Sequence, residues 1–292
     1  MGWPLDALSW PLTSPAMPRR PGSALAAIFA LAAVALALPV GVLDAAPGGL
    51  SGVGIAGKPK VRYHEGWAER PWARYAAMTA PRCRDELSRR GIRAEPVARA
   101  PGVMAPVRLP EGAGGVVYRT SAPAHVRAQS PGDVFDCRLA LALADLGGVL
   151  RARGVIEARI LSAWRPDRRL EALEVRASAR ASSMTRPALR HPGALAVDIQ
   201  RLGKGSPEEG ARTWIDVEHD FDGAIGAPVC APGGSPPGGQ AASPAARELR
   251  AIVCEAAARH LFTAILTPNY DRAHKNHVHL EVTPGVEWEL LR

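Results

Sequence analysis

The chain has 292 residues, of which 47% are hydrophobic and 22% charged, an ordinary globular composition that allows one large domain with extensions or two small ones. Its formal charge of +8 suits anionic surroundings such as cell-wall glycan or lipid headgroups as well as a plain solvated surface. The arginines are scattered and no known module accompanies them, so nucleic acid is excluded as the expected partner.

In chain order, Ser23 to Leu43 carries no charge and follows Arg19 and Arg20, which fits a secretory signal or a single membrane-spanning helix. Both readings imply export to a periplasm or cell envelope, with the arginine pair leaving the bulk of the chain outside the cytoplasm. The residues near Asp44-Ala45-Ala46 make a poor cleavage site, so anchorage in the inner membrane by residues 23–43 stays open beside the cleaved signal. Signal or anchor thus takes residues 1–45, a flexible linker 46–75 and the domain 76–285. Ala46 to Lys60 is the Gly-rich part of that linker.

Pro81 to Arg90, with Gly91 beyond it, reads as a short helix carrying Cys83 and Leu87 inward, and Val116 to Arg119 as a strand. A longer helix follows Ser130-Pro-Gly-Asp133 and runs to about Arg153, because Phe135, Leu139, Leu143, Leu146 and Leu150 recur at steps of three and four. Gly154 ends it. Val155 to Trp164 alternates as a strand and delivers Ser162, Trp164 and Arg165 to its end, before a charged loop over 168–190. A turn at Gly203 to Pro207 leads to a strand at Thr213 to Val217. His219-Asp-Phe-Asp-Gly223 lacks the ligand count of a calcium loop and reads as plain loop.

Ala231 to Ser243 is a Gly-, Pro- and Ser-rich excursion. Ser243 as cap and Pro244 at the first position then start a helix with Leu249, Ile252, Val253, Ala256 and Ala257 on one face, ending near His260. Four cysteines without C-x-x-C spacing in an exported chain read as two disulfides. Sequential pairing, Cys83 with Cys137 and Cys230 with Cys254, is the simplest of three connectivities. The alternation of elements predicts an α+β fold, a small and mainly antiparallel sheet with flanking helices.

The densest chemistry lies near the C-terminus, where His274, His277 and His279 fall within six positions. In the stretch Val-His-Leu-Glu-Val a strand puts His277 and His279 on one face. A hydrolytic zinc site takes three protein ligands and one water, so a further ligand must come from elsewhere. His191 and Asp198 are the best source. In a straight strand they would stand roughly 23 Å apart on opposite faces, and Pro192-Gly193 supplies the bend that lets them share an ion.

H-x6-D followed far downstream by H-x-H resembles the zinc peptidases of the D-Ala-D-Ala carboxypeptidase and murein endopeptidase group. Within that group the chain is most similar to the extensin-like C-terminal family, whose members end in a comparable H-x-x-H-x-H segment. Ser162-Ala-Trp-Arg-Pro166, His191 to Asp198, and Cys254 to Val282 carry the match, which covers about residues 80 to 284. Leu189 stands where the family's stretch has Ser, and Ala194 where it has Gly.

The resemblance implies a single zinc-peptidase-like domain with Zn2+ held by His191, Asp198 and His279, lowering the pKa of a bound water and polarising the scissile carbonyl. It implies that His277 moves the proton or stabilises the oxyanion, that His274 supports the site, and that Arg165 anchors a substrate carboxylate or carbonyl. Glu281 is the weaker alternative for the base. The implied substrate is a peptidoglycan peptide bond, D,D or involving diaminopimelate. The rival expectation is a catalytically weak or inactive wall-binding or structural protein of the same fold.

Overall fold

In the computed structural model the described residues are 66–169, 189–205, 212–230 and 243–292. The 23–43 segment, the Gly-rich tether, most of the 168–190 loop, the end of the Gly203 to Pro207 turn and the excursion over 231–242 lie outside them. Among the described residues no helix is long and apolar enough to cross a membrane.

Helices α1 (Pro71–Ala76) and α2 (Ala80–Arg89) each have a proline in the first turn, where a missing N–H costs no intrahelical bond. Trp72, Tyr75, Cys83 and Leu87 are buried on them. Folded structure therefore starts before residue 76, where the expected linker ended. Strands β1 (Glu95–Pro96) and β2 (Pro106–Arg108) form a small antiparallel sheet completed by β4 (Phe135–Asp136). Between β2 and β4 the chain makes β3 (Val117–Thr120) and the one-turn α3 (Ala124–Arg127).

Helix α4 (Cys137–Arg151) begins later than its periodicity suggests. Asp136 caps it by accepting the Arg138 N–H, which leaves Phe135 extended and paired with Val107 instead of helical. Beyond α4 come β5 (Val155–Ile160), β6 (Ala196–Lys204), β7 (Thr213–Asp216), α5 (Val217–Asp220), α6 (Pro244–Ala258), β8 (Ala264–Leu266), β9 (Val278–Glu281) and β10 (Leu290–Leu291). Ser243 caps α6 through the Ala246 N–H, as its sequence predicts. Both disulfides form in the expected pairing, Cys83 with Cys137 and Cys230 with Cys254.

The fold is α+β, but its main sheet is neither small nor uniformly antiparallel. Seven strands take the order β10-β8-β9-β6-β5-β3, with β7 also on β6. The β3–β5 and β8–β10 pairs are parallel and the others antiparallel. For β3 and β5 the reason is α4, which lies between them in sequence; a helical crossover returns the chain in the same direction, whereas a hairpin would reverse it. Strand β6 is the spine. One edge of it carries β5, and the other carries β9 along its first half and β7 along its second.

Val197, Ile199, Leu202, Val278 and Leu280 face the core, where they join Leu139, Leu143, Leu146 and Leu150 of α4 and Leu249, Ile252 and Val253 of α6. The core set steps from Ile199 to Leu202 because the ladder slips between β5 and β6 at Arg159 and Ile160. That bulge keeps Asp198 and Arg201 on the same outer face despite their odd spacing. Glu281 and Asp198, at 2% and 1% exposure, are nonetheless covered on that face.

Candidate metal centre

The site is built where β6 and β9 run side by side. Asp198 and His279 are directly paired across the antiparallel ladder, so their side chains leave the same face at neighbouring positions. His191 reaches them from a 3₁₀ turn, His191–Gly193, which supplies the bend expected at Pro192-Gly193. Ala194 closes that turn in the left-handed region, with φ 51°. This is a conformation glycine takes freely, and Ala194 stands where the resembled family has Gly.

The ligand atoms of His191, Asp198 and His279 all lie within 4.8 Å of one another, the one such grouping among the described residues. His191 Nε2 is 3.2 Å and His279 Nδ1 2.9 Å from Asp198 Oδ1. His277 Nε2 approaches the same oxygen at 3.4 Å. A tetrahedral shell with bonds of about 2.0–2.1 Å has ligand–ligand edges of about 3.3–3.4 Å, so the spacing is that of a set able to close on one small cation.

Proton placement supports the same fit. His191 Nδ1 is 2.8 Å from the Ala163 carbonyl oxygen, which can only accept, so the proton of that imidazole sits on Nδ1. Its Nε2 lone pair then faces a carboxylate oxygen, and that contact is repulsive unless a second proton or a metal ion lies between them. His279 is in the same position, with Nε2 3.3 Å from Glu281 Oε2 and Nδ1 on Asp198. An imidazole whose far nitrogen is tied to a carbonyl or carboxylate is oriented as metal-binding histidines are. The donor set is therefore one that could hold a metal ion.

Electrostatics follow from the crowding. Burial by itself would raise the Asp198 pKa, but the close imidazoles of His191 and His279, with His277 beside them, hold the carboxyl far below its usual range. Burial would lower the pKa of His279, and its two carboxylate partners raise it instead. Burial works against ionised Glu281 too, yet His279, Thr283 and Arg190 keep its pKa below the ordinary value. His277 has only the more distant Asp198 oxygen in its favour. Burial and the surrounding His274, His279 and Arg165 push it down to about 4.

The other expected residues are placed as follows. Arg165 donates from Nε to Ser162 Oγ at 2.7 Å and pairs through Nη2 with Asp198, keeping 53% of its side chain exposed. It thus stands at the mouth, on the carboxylate of the site and not apart from it. His274 donates from Nδ1 to Asp271 Oδ1 at 2.8 Å and lies 5.1 Å and 5.9 Å, ring to ring, from His277 and His279. His219 belongs to none of this.

Sequence reasoning underrated Glu281 and missed Ala163. Glu281 reads as a stray acid beyond the H-x-H, but spacing alone carried the signal: i and i+2 on a strand share a face, so Glu281 had to lie beside His279. Ala163 acts through its carbonyl, which no residue type announces. That carbonyl also answers the absence of Ser at 189. His191 is held by backbone, and the Leu189 side chain is half exposed. No family model, curated protein or solved structure matches the chain.

Proposed function

We propose that the chain is a zinc-dependent hydrolase acting on a peptide bond of peptidoglycan in the cell envelope, with His191, Asp198 and His279 as the metal ligands. The observation that carries this reading is the convergence of three imidazole nitrogens on Asp198 Oδ1 at 3.2, 2.9 and 3.4 Å, with the far nitrogens of His191 and His279 already bound to acceptors. A bound zinc ion supplies Lewis acidity and a water made nucleophilic near neutral pH.

The chain's own groups account for the rest. His277, with Nε2 3.4 Å from Asp198 Oδ1, is the group placed to move the proton between the attacking water and the leaving amine or to stabilise the oxyanion. Asn276 Oδ1, 2.8 Å from His277 Nδ1, fixes the ring for that role. Arg165, half exposed beside the site, offers a planar fork for a substrate carboxylate once it leaves Asp198. Two disulfides suit the oxidising compartment where such a substrate is found.

The second reading, a wall-binding protein without peptidase activity, has one observation in its favour: the Arg165 pairing satisfies Asp198 without any metal. Metal content of the purified chain, followed by its action on isolated murein sacculi, separates the two. The hydrolase reading expects about one zinc per chain and released muropeptides. His279→Ala is expected to lose both, and His277→Ala to keep zinc while losing activity by roughly 10² or more, since a positioned acid–base group contributes about 10²- to 10⁴-fold. Metal-free protein that is retained on sacculi and releases nothing decides for the second reading.

A further inference from the structure

Away from the histidines, the outer face of the sheet over β5, β6 and β7 carries a second concentration of charge. Glu157 is 1% exposed, yet it points to this face, because Val155, Ala158 and Ile160 take the core side of β5, the ladder slipping at Ile156. Its carboxylate is shared by three guanidinium groups. Arg119 binds both oxygens, at 2.8 and 2.9 Å, while Arg159 pairs with Oε1 and Arg212 with Oε2. A single carboxylate cannot neutralise three arginines, and the surplus is felt: burial and then the charges of Arg119 and Arg127 lower the pKa of Arg159.

Beside them lies an aromatic surface. Trp214 of β7 is paired with Gly203 of β6, and a Cβ at that glycine would meet the indole carbons at 3.0 Å. The benzo edge of the indole therefore packs closely on the Gly203 backbone, and the Arg159 guanidinium sits 5.4 Å from its centroid. Arg201, whose guanidinium is 2.5 Å from Asp216, flanks the ring along β6. The four arginines retain 22% to 48% side-chain exposure. They are paired with carboxylates, reachable from solvent, and in surplus over Glu157 and Asp216.

We propose that this face binds a carboxylate-bearing glycan, with Trp214 under a sugar ring and the Glu157-held arginines on its carboxylates. An indole face matches the C–H face of a pyranose, and a guanidinium fork matches a carboxylate in geometry and charge. Holding the arginines on Glu157 before the ligand arrives lowers the ordering cost of binding. The face follows the metal centre along one strand, since β9 and β7 occupy the same edge of β6 in succession and Arg201 lies three residues beyond Asp198. A polymer lying along β6 would span both, but the binding does not depend on the hydrolase reading.

The test uses the full chain and hyaluronan oligosaccharides, with neutral dextran, a single-stranded oligonucleotide and anionic phospholipid vesicles as comparators. Hyaluronan is expected to bind and dextran not to. Trp214→Ala and the double variant Arg201→Gln/Arg212→Gln are each expected to weaken hyaluronan binding tenfold or more, Glu157 in the latter keeping Arg119 and Arg159. Gly203→Ala, which alters no charge and tilts the indole, is expected to weaken it as well. The double variant Arg74→Gln/Arg84→Gln removes the same charge from exposed positions on α1 and α2 and is expected to bind as the wild type does. Absence of hyaluronan binding, an equal loss in the Arg74/Arg84 control, or equal affinity for oligonucleotide or vesicles overturns the proposal.

Discussion

At the scale of single residues, the proposed metal centre rests on groups beyond its three candidate ligands. Glu281 orients His279 and is itself fixed by Thr283 and by Arg190 at 3.4 Å. Glu281→Gln keeps the shape and removes the charge, so zinc affinity is expected to fall about 10-fold or more, within the range for such orienting partners. Competition with a chromophoric chelator measures it, and unchanged affinity would mean that Glu281 serves only to fill space. Ala194 poses a different question. Its left-handed backbone costs an L-residue about 1–2 kcal/mol, whereas Ala194→Gly loses a buried methyl worth about 0.8 kcal/mol and adds about 0.4–1 kcal/mol of unfolded-state entropy. These offset, and denaturation midpoints are expected to place the variant within about 1 kcal/mol of wild type. A larger loss would assign the difference to the packing of Ala194 against Trp164 and Val134.

At the scale of elements, the last strand is tied back to the first helix. β10 pairs with β8, and just before it Glu289 accepts from Trp72 Nε1 at 2.7 Å, pairs with Arg70 at 2.6 Å and meets His260 Nδ1 at 2.9 Å. Burial would raise the Glu289 pKa, but these three partners hold it below the ordinary glutamate value. A carboxyl depressed in the folded state contributes stability that is fully present above its unfolded pKa and lost as pH falls through the folded one. Glu289→Gln is therefore expected to destabilise the chain near neutrality by about 1–2 kcal/mol, the lower part of the range for bonds to a charged group because the site is partly open. The gap between variant and wild type should close as the pH drops below about 4.5. A gap that stays constant as the pH falls through the acid range in urea melts would show that packing and not charge holds the strap. Folded structure thus continues past residue 285, the expected end of the domain.

At the scale of the whole molecule, two disulfides cross-link elements that the sheet alone does not join. Cys83–Cys137 ties α2 to α4 across 54 residues, and Cys230–Cys254 ties the loop before the excursion to α6 across 24. By loop-closure entropy the first stabilises by about 4 kcal/mol and the second by about 3 kcal/mol. Paired Cys→Ala substitutions are expected to lower the thermal midpoint in that order, and the reverse order would point to structure retained in the unfolded chain.

Much of this was legible beforehand. The heptad-like Leu139 to Leu150 pattern, the Ser243-Pro244 start of α6, the cysteine pairing and the Pro192-Gly193 bend are decided by local chemistry, which each residue carries into any fold. The candidate site residues His191, Asp198, His277 and His279 were equally plain, since their side chains have few other uses when buried together. What the sequence left undecided depends on contacts between distant segments. The parallel β3–β5 pair required knowing that α4 crosses over, and the helical start had to yield to Phe135 pairing with Val107. Glu157 reads as a solvent-facing strand residue until Arg119, Arg159 and Arg212 are brought around it. The Ala163 carbonyl and the Glu281 carboxylate gain their roles only when β5, β6 and β9 lie side by side, because a hydrogen bond between strands depends on register, which the outer-face residues of any one strand do not encode.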